Sequence, residues 1–204
     1  MHRLIKNHKR VIDYFADHVQ VANPDEISRG KRRYHFCQGD TQRVFFILEG
    51  DFLLKLQSEN KILSILSAPF VMGVNPSLDA PPVYLERVDY GKISYIEYDC
   101  FWKRALEKDL LSDVMSIMSG QYTELMNYIL LSKSNSHDQV IALLERWQKI
   151  PSHLKRRFSV LYLIEHSSYL SKSSISRVLK ELKDSGQLTL ERGRLSHEDV
   201  VTRQ

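Results

Sequence analysis

The stretch SKSSISRVLKELKDSGQLTLERGRL, residues 171–195, decides how the whole chain is read. Ser171 offers a side-chain oxygen to the unpaired N–H groups that open a helix. Ile175, Val178, Leu179 and Leu182 then recur on one helical face, and Gly186 is the residue type that ends a helix. LTLERGRL (188–195) reads as a tight hairpin turning at Glu191–Gly193. Just upstream, FSVLYLIEH (158–166) is short and apolar and fits either a helix or a strand.

A short helix, a turn, a second helix and a hairpin make the layout of a winged helix-turn-helix. In such a unit the second helix enters the major groove of double-stranded DNA, N-terminal residues first. Lys172, Ser173 and Ser176 occupy its first two turns, with Arg177 just after, away from Ile175, Val178 and Leu179. Arg177 suits a bidentate contact to guanine O6 and N7. Lys172 and Lys180 suit a phosphate or a guanine, and Ser171 with the helix N-terminus suits a phosphate. Arg192 and Arg194 at the hairpin tip are expected on the flanking backbone. The competing reading is a surface helix with ordinary solvated charges.

Upstream of this unit, Ser136-His137-Asp138-Gln139 reads as a capping box opening a helix with Val140, Leu143, Leu144 and Trp147 on one face, before Pro151. Further back, Asp99 is expected to cap a helix over 100–131. Within it Leu111, Met115, Met118, Tyr122, Leu125 and Ile129 are spaced 4, 3, 4, 3 and 4, an a/d pattern. So narrow a stripe wants a partner helix, and a second copy of the chain is the expected one. Packing on the chain's own β unit is the alternative.

From 27 to 98 the pattern is that of short strands. FFILEGDFLLKLQ (45–57), KILSIL (61–66), VYLERV (83–88) and KISYIEY (92–98) are β-prone, with the loop NPSLDAPP at 75–82. Turns are expected at Glu49-Gly50-Asp51 and Asp89-Tyr90-Gly91, and a core of Phe46, Leu48, Leu54, Leu56, Ile62, Ile65, Tyr84, Ile93 and Ile96. Before the strands, Leu4, His8, Val11, Phe15 and Val19 mark an amphipathic helix, broken at Asn23-Pro24-Asp25.

Among the 204 residues, 43% are hydrophobic and 26% charged, which excludes a disordered or fibrous chain. Residues 1–140 carry 17 basic and 18 acidic side chains, and residues 141–204 carry 12 and 7. The basic excess therefore lies in the segment expected to meet a polyanion. No apolar run approaches the ~18 residues that cross a bilayer, and MHRLIKNHKRVIDYF has no apolar signal core. A cytoplasmic setting without a membrane partner is expected. Two cysteines, Cys37 and Cys100, exclude a disulfide framework, an all-cysteine zinc site and a four-cysteine iron–sulfur site.

At SKSSISRVLKELKDSGQL (171–188) the chain resembles the recognition helix and wing of the Crp/Fnr regulators, with Ile175-Ser176-Arg177 closest to the Fnr branch. HDQVIALLERW (137–147) resembles the helix ahead of that family's DNA-binding unit. Gln38-Gly39-Asp40 and FFILEGDFLLKL resemble the opening of its β-roll, and 100–131 its dimerisation helix. The resemblance implies an α+β fold: a helix and cyclic-nucleotide-binding-like β-roll (jelly roll) over 1–98, a dimerisation helix over 99–132, and a winged helix-turn-helix over 136–204. It implies a homodimeric, non-enzymatic transcription regulator with RNA polymerase as a further partner. The alternative is a protein–protein interaction module that kept the scaffold and does not bind DNA.

The departures from that family are informative. Its nucleotide cassette uses a Gly-Glu pair and a later Arg-Ser or Arg-Thr pair; these fall at Gly73-Val74 and Pro81-Pro82. Val74 accepts no hydrogen bond, and Pro81 has neither charge nor N–H, so no cyclic nucleotide and no other cofactor is expected. The Fnr branch's N-terminal cysteine cluster is missing. The family's acidic base-contacting residue falls at Ser173, so a different operator is expected. Glu165 and Tyr169 stand where the family has small residues, which puts the first helix of the motif in question. Among family members without the cassette, layout and length resemble regulators that lower peroxide resistance, implying control of oxidative stress. His35, Cys37 and Asp40 read as polar strand residues rather than a metal site. Cys37 follows Lys31, Arg32 and Arg33, a setting that favours a thiolate, although a buried thiol is the preferred reading.

Overall fold

A computed structural model describes residues 2–76, 82–132 and 134–195. The chain divides into two compact units, residues 1–125 and 126–204.

The first unit is an antiparallel sheet with helices on one face. Helix α1 (His2–Phe15) precedes strands β1 (Gln20–Val21), β2 (Glu26–Ser28), β3 (Lys31–His35), β4 (Cys37–Gln38), β5 (Thr41–Leu56), β6 (Ile62–Ser67), β7 (Phe70–Met72) and β8 (Val83–Glu97). The sheet order is β2-β3-β8-β5-β4, with β1 on β8 and both β6 and β7 on β5. Strand β5 is apolar on both faces because both are covered. Its Val44 and Phe46 join Val11 and Phe15 of α1 in one core, while Phe45, Ile47, Phe52 and Leu54 join Tyr34, Phe36, Leu85 and Ile93 in another.

The two expected turns are absent. Residues 49–51 and 89–91 lie inside the long strands β5 and β8, paired as Glu49↔Lys92 and Gly50↔Gly91, with register shifts either side. The strands crease there instead of reversing. Gly50 has φ +84°, and a Cβ on it would lie 2.1 Å from the Tyr90 carbonyl oxygen. Of the expected core, Phe46, Leu54, Ile62, Tyr84, Ile93 and Ile96 are buried, whereas Leu56 and Ile65 are half-buried and Leu48 is exposed. On β6, Leu66 pairs with the buried Phe52 and joins its core, whereas Ile65 pairs with Leu53 on the other face of the sheet.

The expected single helix over 100–131 is two: α2 (Tyr98–Glu107) and α3 (Leu111–Ser132). Asp109 takes φ +53°, and the Leu110 N–H donates to the Ala105 carbonyl at 3.1 Å. This is a Schellman stop with buried Leu110 as its apolar anchor. Glu97, not Asp99, holds the N-cap position of α2, without a side-chain cap bond; Asp99 sits in the first turn. Leu4's side chain and Pro81 lie outside the described residues.

The second unit contains α4 (Ser136–Gln148), α5 (Ser152–Arg157), α6 (Val160–Ser167), α7 (Lys172–Asp184) and the strands β9 (Leu190–Glu191) and β10 (Arg194–Leu195), which pair antiparallel. The cap of α4 falls one residue before the expected box: the Asn135 side chain accepts from the Asp138 N–H at 2.9 Å. The ambiguous 158–166 segment is helical over Val160–Ser167, capped by Ser159, which accepts from the Tyr162 N–H at 3.1 Å. No helix among the described residues is long and apolar enough to cross a membrane.

Candidate nucleic-acid interface

The core of the second unit positions the interface. Val140, Leu143, Leu144 and Trp147 of α4, Val160, Leu163 and Ile164 of α6, and Ile175, Val178, Leu179 and Leu182 of α7 are all buried, and the three helices pack on one another. The turn between α6 and α7 is held by Ser168, whose hydroxyl donates to the Ile164 carbonyl at 2.8 Å. Tyr169 points outward and is 62% exposed, so its bulk does not disturb the turn. Glu165 is half-buried on α6. The first helix therefore forms despite both large residues.

Helix α7 starts and stops where expected. The Ser171 hydroxyl accepts from the Ser174 N–H at 3.2 Å and shares hydrogen bonds with the Ser173 and Ser174 hydroxyls at 2.9 Å. Its oxygen is thus already engaged in capping. At the other end Gly186 takes φ +73°, and the Gln187 N–H donates to the Leu182 carbonyl at 2.9 Å. With Ile175 and Val178 inward, Lys172, Ser173, Ser176, Arg177 and Lys180 all lie on the exposed face. Arg177 has a partner that the sequence reading missed: its Nη1 lies 3.0 Å from Glu181 Oε1. The i,i+4 spacing is the available signal. Both side chains are about half exposed or more, and such a pair is worth roughly 0.3–0.5 kcal/mol, so a stronger partner displaces Glu181 easily.

The hairpin is a two-residue turn with Arg192 at φ +49° and Gly193 at φ +78°, the signs of a type I′ turn. Arg192 and Arg194 are exposed, and Glu191 sits across from Arg194. The Val160 N–H donates to the Gly193 carbonyl at 3.0 Å, tying the turn to the start of α6. The basic run Lys155-Arg156-Arg157 forms the last turn of α5, which packs on β10. The sequence reading passed over this run, although three consecutive cations just ahead of α6 are visible in the sequence.

The a/d stripe of α3 is largely uncovered. Its inner face, Val114 and Ile117, is buried in the helix-side core of the first unit. Leu111, Met115, Tyr122, Leu125 and Ile129 are exposed, with Leu130 beside them, while Met118 is half-buried and packs on that same core. Five of the six expected seam residues thus lack cover from the chain itself.

Elsewhere, the aligned nucleotide positions are built differently. Val74 is fully buried among the helix-side residues, and its carbonyl accepts from Trp102 Nε1 at 3.2 Å. Cys37 is half-buried; burial pushes its thiol up, outweighing the opposing pull of Arg43, which disfavours the thiolate. Among the described residues no group of three or more His, Cys, Asp or Glu is placed to hold a metal ion.

No family model matches the chain. It is 24% identical over 167 residues to the inhibitor of hydrogen peroxide resistance of Escherichia coli strain K12, covering 76% of each chain. Among solved structures it is similar to CLP, the c-di-GMP-responsive global regulator of Xanthomonas campestris, with a TM-score of 0.59 and 17% identity over 90% of this chain and 95% of that one. It is also similar to a transcriptional regulator of the Crp/Fnr family from Eubacterium rectale, with a TM-score of 0.52 and 14% identity over 94% and 90%. The chain has the α+β fold shared by these Crp/Fnr-type regulators, and its sequence is similar to that of a peroxide-resistance inhibitor.

Proposed function

We propose that the chain is a cytoplasmic, homodimeric transcription regulator that binds specific DNA sequences without a cyclic nucleotide and controls resistance to peroxide. The observation that carries this reading is helix α7. Its cap, buried face and stop leave Lys172, Ser173, Ser176, Arg177 and Lys180 outward, beside a type I′ hairpin with Arg192 at its tip. The second unit is read as a winged helix-turn-helix, with α6 and α7 as its two helices and β9–β10 as its wing. Arg177 reads a base after releasing Glu181, and Lys172 and Lys180 hold phosphates or guanine. With Ser171 engaged as the cap and the Ser173 hydroxyl bonded to it, Ser176 offers the more available hydroxyl.

The sheet is read as a β-roll without a nucleotide site. Its interior positions carry Tyr34, Phe36, Phe45 and Phe52, rings in mutual edge contact, and the position aligned with the ribose-binding Glu is the buried Val74. The uncovered stripe of α3 is read as the homodimer seam, and RNA polymerase as a further partner in transcription.

Selection from a randomised duplex pool tests the reading. We expect enrichment of a two-fold symmetric site, with affinity falling steeply between 50 and 200 mM salt as counterions are released. A pool left unenriched by folded protein would overturn the reading in favour of a protein–protein module, whose apolar contacts are insensitive to salt.

A further inference from the structure

Helix α7 is not the most basic surface of the second unit. Its Lys172, Arg177, Lys180 and Lys183 are accompanied by Glu181 and Asp184, and Glu181 already holds Arg177. The edge formed by α5 and the hairpin carries a higher density of positive charge. Residues 149–160 contain no acidic side chain, and Glu191 is the one carboxylate of residues 188–195. Buried Leu154 pins α5 down, α5 packs on β10, and the Val160–Gly193 bond brings the chain just after α5 onto the hairpin turn. These constraints gather Lys155, Arg156 and Arg157 beside Arg192 and Arg194. Arg156, Arg157, Arg192 and Arg194 are exposed, and Lys155 is half-buried. Arg157 also lies over the Phe158 ring at 5.7 Å.

One cation in the last turn satisfies the negative end of a helix dipole. Lys155 and Arg156 in one turn, with Arg192 and Arg194 on the neighbouring hairpin, repel one another, and a polyanion relieves that repulsion. We infer that α5 and the hairpin form a phosphate clamp on duplex DNA flanking the bases read by α7, and that this clamp contributes much of the salt-dependent affinity. The inference rests on the DNA-binding reading above. The partner is a duplex rather than an acidic protein because the cations extend along the same edge as the hairpin assigned to the DNA backbone.

Each phosphate contact contributes about 0.9 to the slope of log affinity against log salt. The double variant Lys155→Gln/Arg156→Gln removes two. Over a fourfold rise in salt, from 50 to 200 mM, its affinity for a 40-bp duplex carrying the pool-selected site should fall about twelvefold less than that of the wild type. On a duplex trimmed to the selected bases alone, the two proteins should converge. Thermal unfolding of the full-length variant confirms that it is folded, and Arg156→Gln alone, expected to remove about half of the slope change, serves if the double variant is not. Wild-type protein that binds DNA with a slope unchanged by the double variant, yet lowered by Lys172→Gln/Lys180→Gln, overturns the clamp and leaves DNA binding standing. Wild-type protein that fails to bind any duplex at 50 mM salt overturns both.

Discussion

His8 provides the sharpest test of how the first unit is held together. It lies on α1, 5% exposed, with its ring stacked on Phe70 at 4.2 Å between centroids. Its Nδ1 accepts from the Val71 N–H at 3.0 Å. That bond needs an unprotonated Nδ1, and burial lowers the imidazole pKa from 6.5 to about 4. Below 6.5 the unfolded chain takes up a proton that the native state refuses until about 4. Stability should therefore fall as pH drops through that window and level off beneath it. At 1.36 kcal/mol per tenfold change in proton affinity, the loss is about 3 kcal/mol by pH 4. His8→Gln keeps an acceptor for Val71 but does not titrate. Trp147 lies in the second unit and Trp102 in the first. In a Trp147→Phe background, tryptophan fluorescence during urea unfolding therefore reports the first unit. We expect the stability advantage of the protein with His8 intact over the His8→Gln variant to shrink or reverse by about 3 kcal/mol between pH 7 and pH 4. Carboxylate titrations are common to both proteins and cancel. Parallel stability curves would refute the account of His8 as a buried neutral acceptor.

The other tests bear on the crease, the seam, the readout and the ligand. Gly50→Ala forces a Cβ against the Tyr90 carbonyl at a positive φ and should cost about 3 kcal/mol or more in urea unfolding; a loss under 1 kcal/mol would mean that β5 and β8 do not approach so closely. Tyr122→Glu with Leu125→Glu puts like charges across the proposed seam, so sedimentation should show a monomer, and a persistent dimer would place the interface elsewhere. Arg177→Ala should cost ~1–3 kcal/mol per half-site and relax one base position, whereas Arg192→Ala should weaken all sequences alike and lower the salt slope by about 1. Titration calorimetry with cyclic AMP should show no saturable micromolar binding; saturation would reveal a pocket that Val74 and the interior aromatic rings do not close.

The most accurate sequence readings concerned structure with local causes. Ser171, the 3.6-residue spacing of Ile175 to Leu182, and Gly186 fix α7 within a few residues of chain, and the hairpin turn depends on Arg192 and Gly193 alone. Readings failed where a distant partner decides. Glu49-Gly50-Asp51 looks like a turn until β8 lies alongside and pairs Gly50 with Gly91. The break between α2 and α3 needed Asp109 in a left-handed conformation, which aspartate tolerates but does not advertise as glycine does.

Buried charge was equally hidden. Lys55 alternates like a solvent-facing strand residue, yet it is 2% exposed, with its ammonium 3.5 Å from Glu86 and over the Tyr84 ring. Burial pulls its pKa down and Glu86 partly restores it. Glu86 also lies 3.3 Å from Lys31 and 3.6 Å from Arg33. Only the register Arg33↔Glu86 and Lys55↔Tyr84 brings these groups together, and that register is set by strands far apart in sequence.

The division of faces on α3 gives the ligand-free reading a physical basis. A ligand shifts a conformational equilibrium only as far as its affinities for the two states differ. In the first unit, the side chains that fix α3 are Val114 and Ile117 in the core, Asp113 accepting from Arg10 at 2.8 Å, and Gln121 donating to the Val71 carbonyl at 2.9 Å. The position aligned with a nucleotide contact, Val74, contributes to the same core, so it supports α3 by packing rather than by waiting for a ligand. These contacts leave Met115, Tyr122 and Leu125 exposed. On this reading the seam is available whenever the unit is folded, and DNA binding follows the concentration of dimer.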